Sequence, residues 1–214
     1  MRRHYVYKAF ERFWHWAQMI LVFAMVITGF EIHGTYRWLG FETAVRWHNR
    51  AAYALIVLIV FAIFWHFTTG AWKSYIPTGA KVSKQIQYYT VGIFKNEPHP
   101  YKKTELSLKN PLQQYSYLAL KLLVIPIQVT TGLLYFYYNR WPEWGIGWGL
   151  NWVAIVHTLA AFGIVAFVIT HVYATTMGQT ATSNLKAMIT GWEEFPVEEE
   201  EAESDLALGQ VGSD

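Results

Sequence analysis

Residues 152–173 read WVAIVHTLAAFGIVAFVITHVY, 22 residues without a Lys, Arg, Asp or Glu, in which two histidines, His157 and His171, are embedded. At 1.5 Å of rise per residue this run crosses the roughly 30 Å of hydrocarbon in a bilayer as one helix. The 14 residues between the two histidines amount to about 21 Å of helix and, at about 100° per residue, return them to within roughly 40° of one another. One apolar helix thus presents two imidazoles on one face, near opposite sides of a membrane. Ionisable groups inside a bilayer are costly and rare, which makes each a functional candidate.

The uncharged stretch around this run extends over residues 144–185, too long for one straight span. Residues 144–150 are expected at the interface, where Gly145, Gly147 and Gly149 interrupt helix. Three more stretches lack charge, at 13–30, at 51–72 and, interrupted only by Lys121, at 111–138. The expected fold is therefore all-α, an integral membrane four-helix bundle over residues 1–195 with helices at about 13–32, 46–70, 111–138 and 151–177. The loop at 71–110 is long and mixes lysines with aromatics, and its part near 79–94 is expected to form a short helix on the membrane surface. Residues 196–214 begin with consecutive acids and continue with Ser, Gly and Asp, the composition of a disordered tail.

Composition agrees. Of 214 residues, 53% are hydrophobic and only 15% charged, against about 25% charged in soluble domains. A net charge of +2 gives no basis for nucleic-acid binding. Zero cysteines exclude disulfides, a thiolate nucleophile, cysteine-held iron–sulfur clusters and covalently attached haem. The chain also has no G-x-S-x-G and no phosphate-binding loop. Met1-Arg2-Arg3 resembles the basic start of a signal peptide, but no small-x-small cleavage site follows the first apolar run, so that run is read as a span.

Lysine and arginine set the expected orientation. Arg2, Arg3, Lys8 and Arg12 precede the first span, and Lys73, Lys81, Lys84, Lys95, Lys102, Lys103 and Lys109 lie between the second and third. The other two loops hold only Arg37, Arg46 and Arg50, and Arg140. Both termini and the middle loop are expected in the cytoplasm. Trp14, Trp16, Trp47, Trp141, Trp144, Trp148 and Trp152 sit at the expected boundaries, as interfacial anchoring requires.

His4, His33 and His99 lie in polar or boundary segments and are given no role; His15, His48, His66, His157 and His171 lie in or at the ends of the spans. Antiparallel helices bring His48 level with His157 on the outer side and His15 level with His171 on the cytoplasmic side. His66 follows His48 by 18 residues, five whole turns, and so shares its face near the cytoplasmic end. Spacing leaves His15 and His66 as alternative partners of His171. Two stacked bis-histidine sites in an apolar bundle suit haem b, which binds noncovalently and takes two axial imidazoles. Zinc usually wants four ligands, and the spans offer almost no acids. Gly29, Gly132 and Gly163 leave room either for a macrocycle edge or for close helix contact. Arg12, Arg46 and Arg50 stand where haem propionates would be neutralised and equally where boundary anchors belong.

Arg12-Phe13-Trp14-His15-Trp16 at the first helix, Arg46-Trp47-His48 at the second, His157 and His171 on the fourth, and Asn184-Leu185-Lys186-Ala187-Met188-Ile189-Thr190-Gly191 after it together resemble a known family. It is the dihaem cytochrome b subunit of membrane-bound formate dehydrogenases and thiosulfate reductases, within the wider group that includes the cytochrome b subunits of nickel–iron hydrogenases. The likeness covers about residues 5–192. It implies that His15 and His171 ligate a cytoplasmic-side haem and His48 and His157 an outer one, which leaves His66 without a ligand role. It implies a menaquinone (or ubiquinone) site beside the cytoplasmic-side haem at Asn110 and Gln113. Formate dehydrogenase members carry a glycine two residues after that asparagine, where this chain has Leu112. It implies a bacterial inner-membrane location and a periplasmic-side redox subunit, iron–sulfur or multihaem c-type, with its catalytic subunit. The expected function is electron transfer through two b haems between quinone and that partner. The alternatives are a stand-alone cytochrome b that oxidises or reduces quinone against a small diffusible molecule, and a haem-free anchor or transporter.

Overall fold

The computed structural model describes residues 2–76, 82–95, 97, 111–147 and 149–195. Asn110, most of the segment around it and the acidic tail expected to be disordered lie outside the described residues. The chain divides into two units, one of Phe13–Lys73 and Tyr117–Tyr173, the other of Met1–Arg12, Ser74–Ser116 and Ala174–Asp214.

Helix α1 spans Ala9–Ile32 and α2 spans Phe41–Thr69. Helix α3 spans Val82–Thr90, within the segment expected to be helical, and a 3-10 turn follows at Gly92–Lys95. Helix α4, Pro111–Ala119, continues through a π turn at Leu120–Val124 into α5, Ile125–Phe136. The π turn lies just before Pro126, which lacks the N–H that an unbroken α-helix needs at that point. Helix α6 spans Leu150–Thr175 and α7 spans Ser183–Thr190. Four of these helices are long and apolar enough to cross a membrane: Ala9–Ile32, Phe41–Thr69, Leu112–Phe136 and Leu150–Thr175. The chain is a multi-pass membrane protein. Helix α6 is apolar on every face and buries none of its residues within the chain, as a lipid-facing helix does.

Two helices begin earlier than the hydropathy marks, each for a local reason. The Lys8 backbone N–H donates to the Glu11 carboxylate at 2.9 Å, the reach-back half of a capping box. Before α2, one oxygen of Glu31 accepts the backbone N–H groups of Trp38, Leu39 and Gly40 at 2.8, 2.6 and 2.8 Å. That carboxylate gathers the amides at the α2 entrance, where the helix would otherwise leave donors unmet. Before α6 the chain turns through 3-10 segments at Tyr138–Arg140 and Pro142–Trp144. Gly145 and Gly149 then take φ of 71° and 102°, the expected glycine break.

The second unit contains an element that the all-α expectation lacks. Strand β1, Arg2–Tyr5, pairs antiparallel with β2, Trp192–Phe195. The register sets Arg3 opposite Glu194 and Tyr5 opposite Trp192, an opposite-charge pair and an aromatic pair that favour this alignment. Gly191 precedes β2 at φ 88°, and its carbonyl accepts the N–H groups of Val6 and Tyr7 at 2.9 and 3.2 Å. A Cβ there would stand 2.8 Å from the Tyr7 carbonyl oxygen, so only glycine fits.

Candidate functional site: two histidine pairs

Within the unit of Phe13–Lys73 and Tyr117–Tyr173, the structure brings four of the spanning histidines together in two pairs. The rings of His15 on α1 and His171 on α6 have centres 6.1 Å apart and planes inclined by 55°. The rings of His48 on α2 and His157 on α6 have centres 6.5 Å apart and planes inclined by 69°. Helix α6 supplies one member of each pair, as its 14-residue spacing requires.

Around His48 and His157 the packing repeats. The Thr28 hydroxyl on α1 lies 3.0 Å from His48 Nδ1, and the Thr131 hydroxyl on α5 lies 3.1 Å from His157 Nδ1. The glycine after each threonine stands against the same ring. A Cβ on Gly29 would lie 3.5 Å from His48 Cε1, and one on Gly132 would lie 3.1 Å from His157 Cε1. Gly163 has nothing within 4 Å of such a Cβ, so of the three glycines noted in the sequence two form the cradle. The Gln128 side-chain nitrogen is 3.1 Å from His157 Nε2.

The other pair is held differently. His171 stacks on Phe167 with centres 5.9 Å apart, and its Nδ1 lies 3.3 Å from the Tyr117 hydroxyl. His15 Nδ1 is buried with no hydrogen-bond partner. His66 is buried, donates from Nδ1 to its own helix at Ala62 O (2.6 Å), and sets its ring against Trp14 at 5.4 Å. Lys121, the one charge in the third span, lies 5.7 Å above that same indole from the π turn. It is His15, then, whose ring faces His171.

The remaining sequence candidates are placed as follows. The Arg12 guanidinium donates to Ile189 O at 2.6 Å and to the Tyr5 hydroxyl at 3.3 Å, tying α1 to α7 and β1. Arg46 donates to Thr43, and Arg50 stacks over Trp47 at 5.2 Å. Gln113 is half-buried on α4. Thr28, Thr131, Gln128 and Tyr117 escaped the sequence reading, because a threonine, glutamine or tyrosine in an apolar helix is unremarkable taken singly. The available signal was weak: of five Thr-Gly dipeptides, at 28–29, 69–70, 78–79, 131–132 and 190–191, those at 28–29 and 131–132 stand inside an apolar span rather than at its end.

The donor set decides what such pairs can hold. Among the described residues no group of three or more His, Cys, Asp or Glu side chains converges, so each pair offers two nitrogens. Structural and catalytic zinc sites take three or four protein ligands, whereas the iron of haem b needs only two beyond its porphyrin. A metal–imidazole bond of about 2 Å on each side, plus about 1 Å to each ring centre, sets the centres about 6 Å apart. The separations of 6.1 and 6.5 Å fit one iron between each pair, and Gly29 and Gly132 let the His48 and His157 rings lie close against α1 and α5.

Residues 6–191 match the family described as prokaryotic cytochrome b561. A protein of Escherichia coli (strain K12) named "Putative cytochrome YdhU" is 25% identical over 206 residues, covering 88% of this chain and 74% of that protein. No solved structure gives a significant match. With four membrane-spanning helices, paired histidines suited to haem iron and a match over most of its length, the chain belongs to the prokaryotic cytochrome b561 family of membrane electron-transfer proteins, which bind haem b.

Proposed function

We propose that the chain is a membrane-anchor electron-transfer subunit that holds two b haems, one between His15 and His171 and one between His48 and His157. The observation that carries this reading is the pairing itself: α6 contributes to two bis-imidazole sites about 21 Å apart along its axis. Bound there, haem b supplies a one-electron ferric–ferrous couple. The chain's own residues present one imidazole from each side, seat the His48 and His157 rings against Gly29 and Gly132, and brace the His171 ring with Phe167 and Tyr117. Two sites at different depths divide the thickness of the bilayer, so no electron has to cross it in one step.

In this reading both termini face the cytoplasm of a bacterium and the membrane is the inner one, as the lysine and arginine distribution favours. A quinone, menaquinone or ubiquinone, is reduced or oxidised near the cytoplasmic end, with Asn110 and Gln113 beside it. A periplasmic-side iron–sulfur or multihaem c-type subunit, with its catalytic subunit, docks at the loops at 36–46 and 140–151. Arg12, Arg46 and Arg50 are assigned to haem propionates in addition to the contacts they make within the chain. Support comes from the resemblance to dihaem subunits and from the family.

The test is a pyridine haemochrome count on detergent-purified protein. Two haems per chain are expected in the wild type and one in each of His48→Ala, His157→Ala, His15→Ala and His171→Ala. Two haems retained in His171→Ala overturn the pairing. Haem loss in His66→Ala together with none in His15→Ala transfers the ligand to His66.

A further inference from the structure

We propose that Thr28 and Thr131 are positioning residues that lock both His48 and His157 in the one tautomer able to bind iron through Nε2. The proposal rests on the reading that these two histidines ligate haem.

The argument is an accounting of single protons. A threonine hydroxyl has one proton to give and lone pairs to accept with. Thr28 gives its proton to the carbonyls one turn back on its own helix, Ala24 O at 2.7 Å and Met25 O at 3.3 Å. Thr131 does the same, to Ile127 O at 2.6 Å and Gln128 O at 3.2 Å. With the proton committed, each hydroxyl oxygen can only accept. The contacts at 3.0 Å from His48 Nδ1 and 3.1 Å from His157 Nδ1 therefore require that each Nδ1 carries the hydrogen. A neutral imidazole has one N–H, so Nε2 is left with its lone pair in both residues. The histidine's other ring nitrogen commonly sets the tautomer and orientation of a metal ligand. Here both members of a pair use the same device, a Thr-Gly dipeptide whose hydroxyl accepts from the ring and whose bare Cα lets the ring lie against the helix.

The His15–His171 pair has no such lock. His15 Nδ1 has no hydrogen-bond partner among the described residues, and His171 Nδ1 meets a phenol, a group that can give or take a proton. The two sites are thus distinguishable within one molecule, and the pair without threonines serves as an internal control.

An acceptor on Nδ1–H makes the imidazole a stronger electron donor, which favours ferric over ferrous iron. Potentiometric titration of the purified haem-loaded protein, followed in the α band, tests the idea on Thr28→Val, Thr131→Val, Thr28→Ser and Thr131→Ser. Each valine variant is expected to raise the midpoint potential of one haem and leave the other unchanged, and each serine variant to restore the wild-type value. Unchanged potentials in both valine variants overturn the proposal, and so do serine variants that behave as valine does, since the methyl rather than the hydroxyl would then matter. If valine abolishes haem retention, serine decides: full haem at the wild-type potential supports the lock, and loss of haem in the serine variants refutes it. A wild type without haem defeats the underlying assignment of ligands and the lock with it, a result separate from any shift in potential.

Discussion

Gly132→Ala and Gly29→Ala are the same substitution beside equivalent rings, yet the structure separates their effects. Carbon atoms pack best at about 3.5–4.0 Å. The new Cβ at residue 29 would meet His48 Cε1 at 3.5 Å, within that range, whereas at residue 132 it would meet His157 Cε1 at 3.1 Å. His157 must then retreat by a few tenths of an ångström. Its hydrogen bond to Thr131, already 3.1 Å long, is drawn toward the limit at which such bonds fail. Overpacking of this kind costs about 1–3 kcal/mol, offset by up to about 1 kcal/mol for alanine over glycine inside a helix. The net is a loss of about 0–2 kcal/mol at residue 132 and a neutral or stabilising change at residue 29. Expressed through the ligand that moves, the loss corresponds to up to about 30-fold weaker haem retention. The assay is haem left on detergent-purified protein after a chase with excess apomyoglobin, with melting followed by circular dichroism. Greater loss from Gly29→Ala than from Gly132→Ala, or equal loss from both, refutes the reasoning.

Three further outcomes are expected. Glu31→Ala leaves three backbone amides before α2 without their acceptor and lowers the melting temperature more than Glu31→Gln, which keeps an amide oxygen in place. Imidazole planes inclined by 55° and 69° predict highly anisotropic low-spin electron paramagnetic resonance signals from the oxidised protein, whereas rhombic signals of parallel imidazoles would contradict those angles. Gln128→Leu removes the amide that donates to His157 Nε2 and should load haem at least as fast as the wild type in a reconstitution time course.

Much of the fold was legible because a bilayer imposes length and hydropathy on every span. The expected helix at 151–177 is observed as Leu150–Thr175, and the one at 111–138 as Leu112–Phe136. The starts of α1 and α2 were not legible, because they depend on Glu11 and Glu31 reaching backbone amides outside the apolar runs. The partner of His157 followed from helix period and antiparallel packing. For His171 these left His15 and His66 at the same level; the resemblance implied His15, and the structure sets the His15 ring 6.1 Å from His171 and His66 against Trp14. Thr28 and Thr131 were invisible for a different reason. Their importance lies in which ring the hydroxyl oxygen accepts from, and that ring stands on a neighbouring helix, which a sequence window does not contain. Strand pairing of β1 with β2 joins four-residue segments too short to show alternation.

The partner of β1 is β2, which comes after all four of the membrane-spanning helices in chain order. Arg2 pairs with Phe195, so the ribbon cannot close until the four spanning helices between its strands have been synthesised. Closing a contact of that sequence separation is slow, and it reports on everything in between. A chain that stalls or is cut before Trp192 leaves Arg2–Tyr5 without a strand to pair with and the Gly191 carbonyl without its place against Val6 and Tyr7. The ribbon therefore works as a seal applied after assembly: susceptibility of residues 2–5 to a protease added to the purified protein would distinguish closed molecules from open ones.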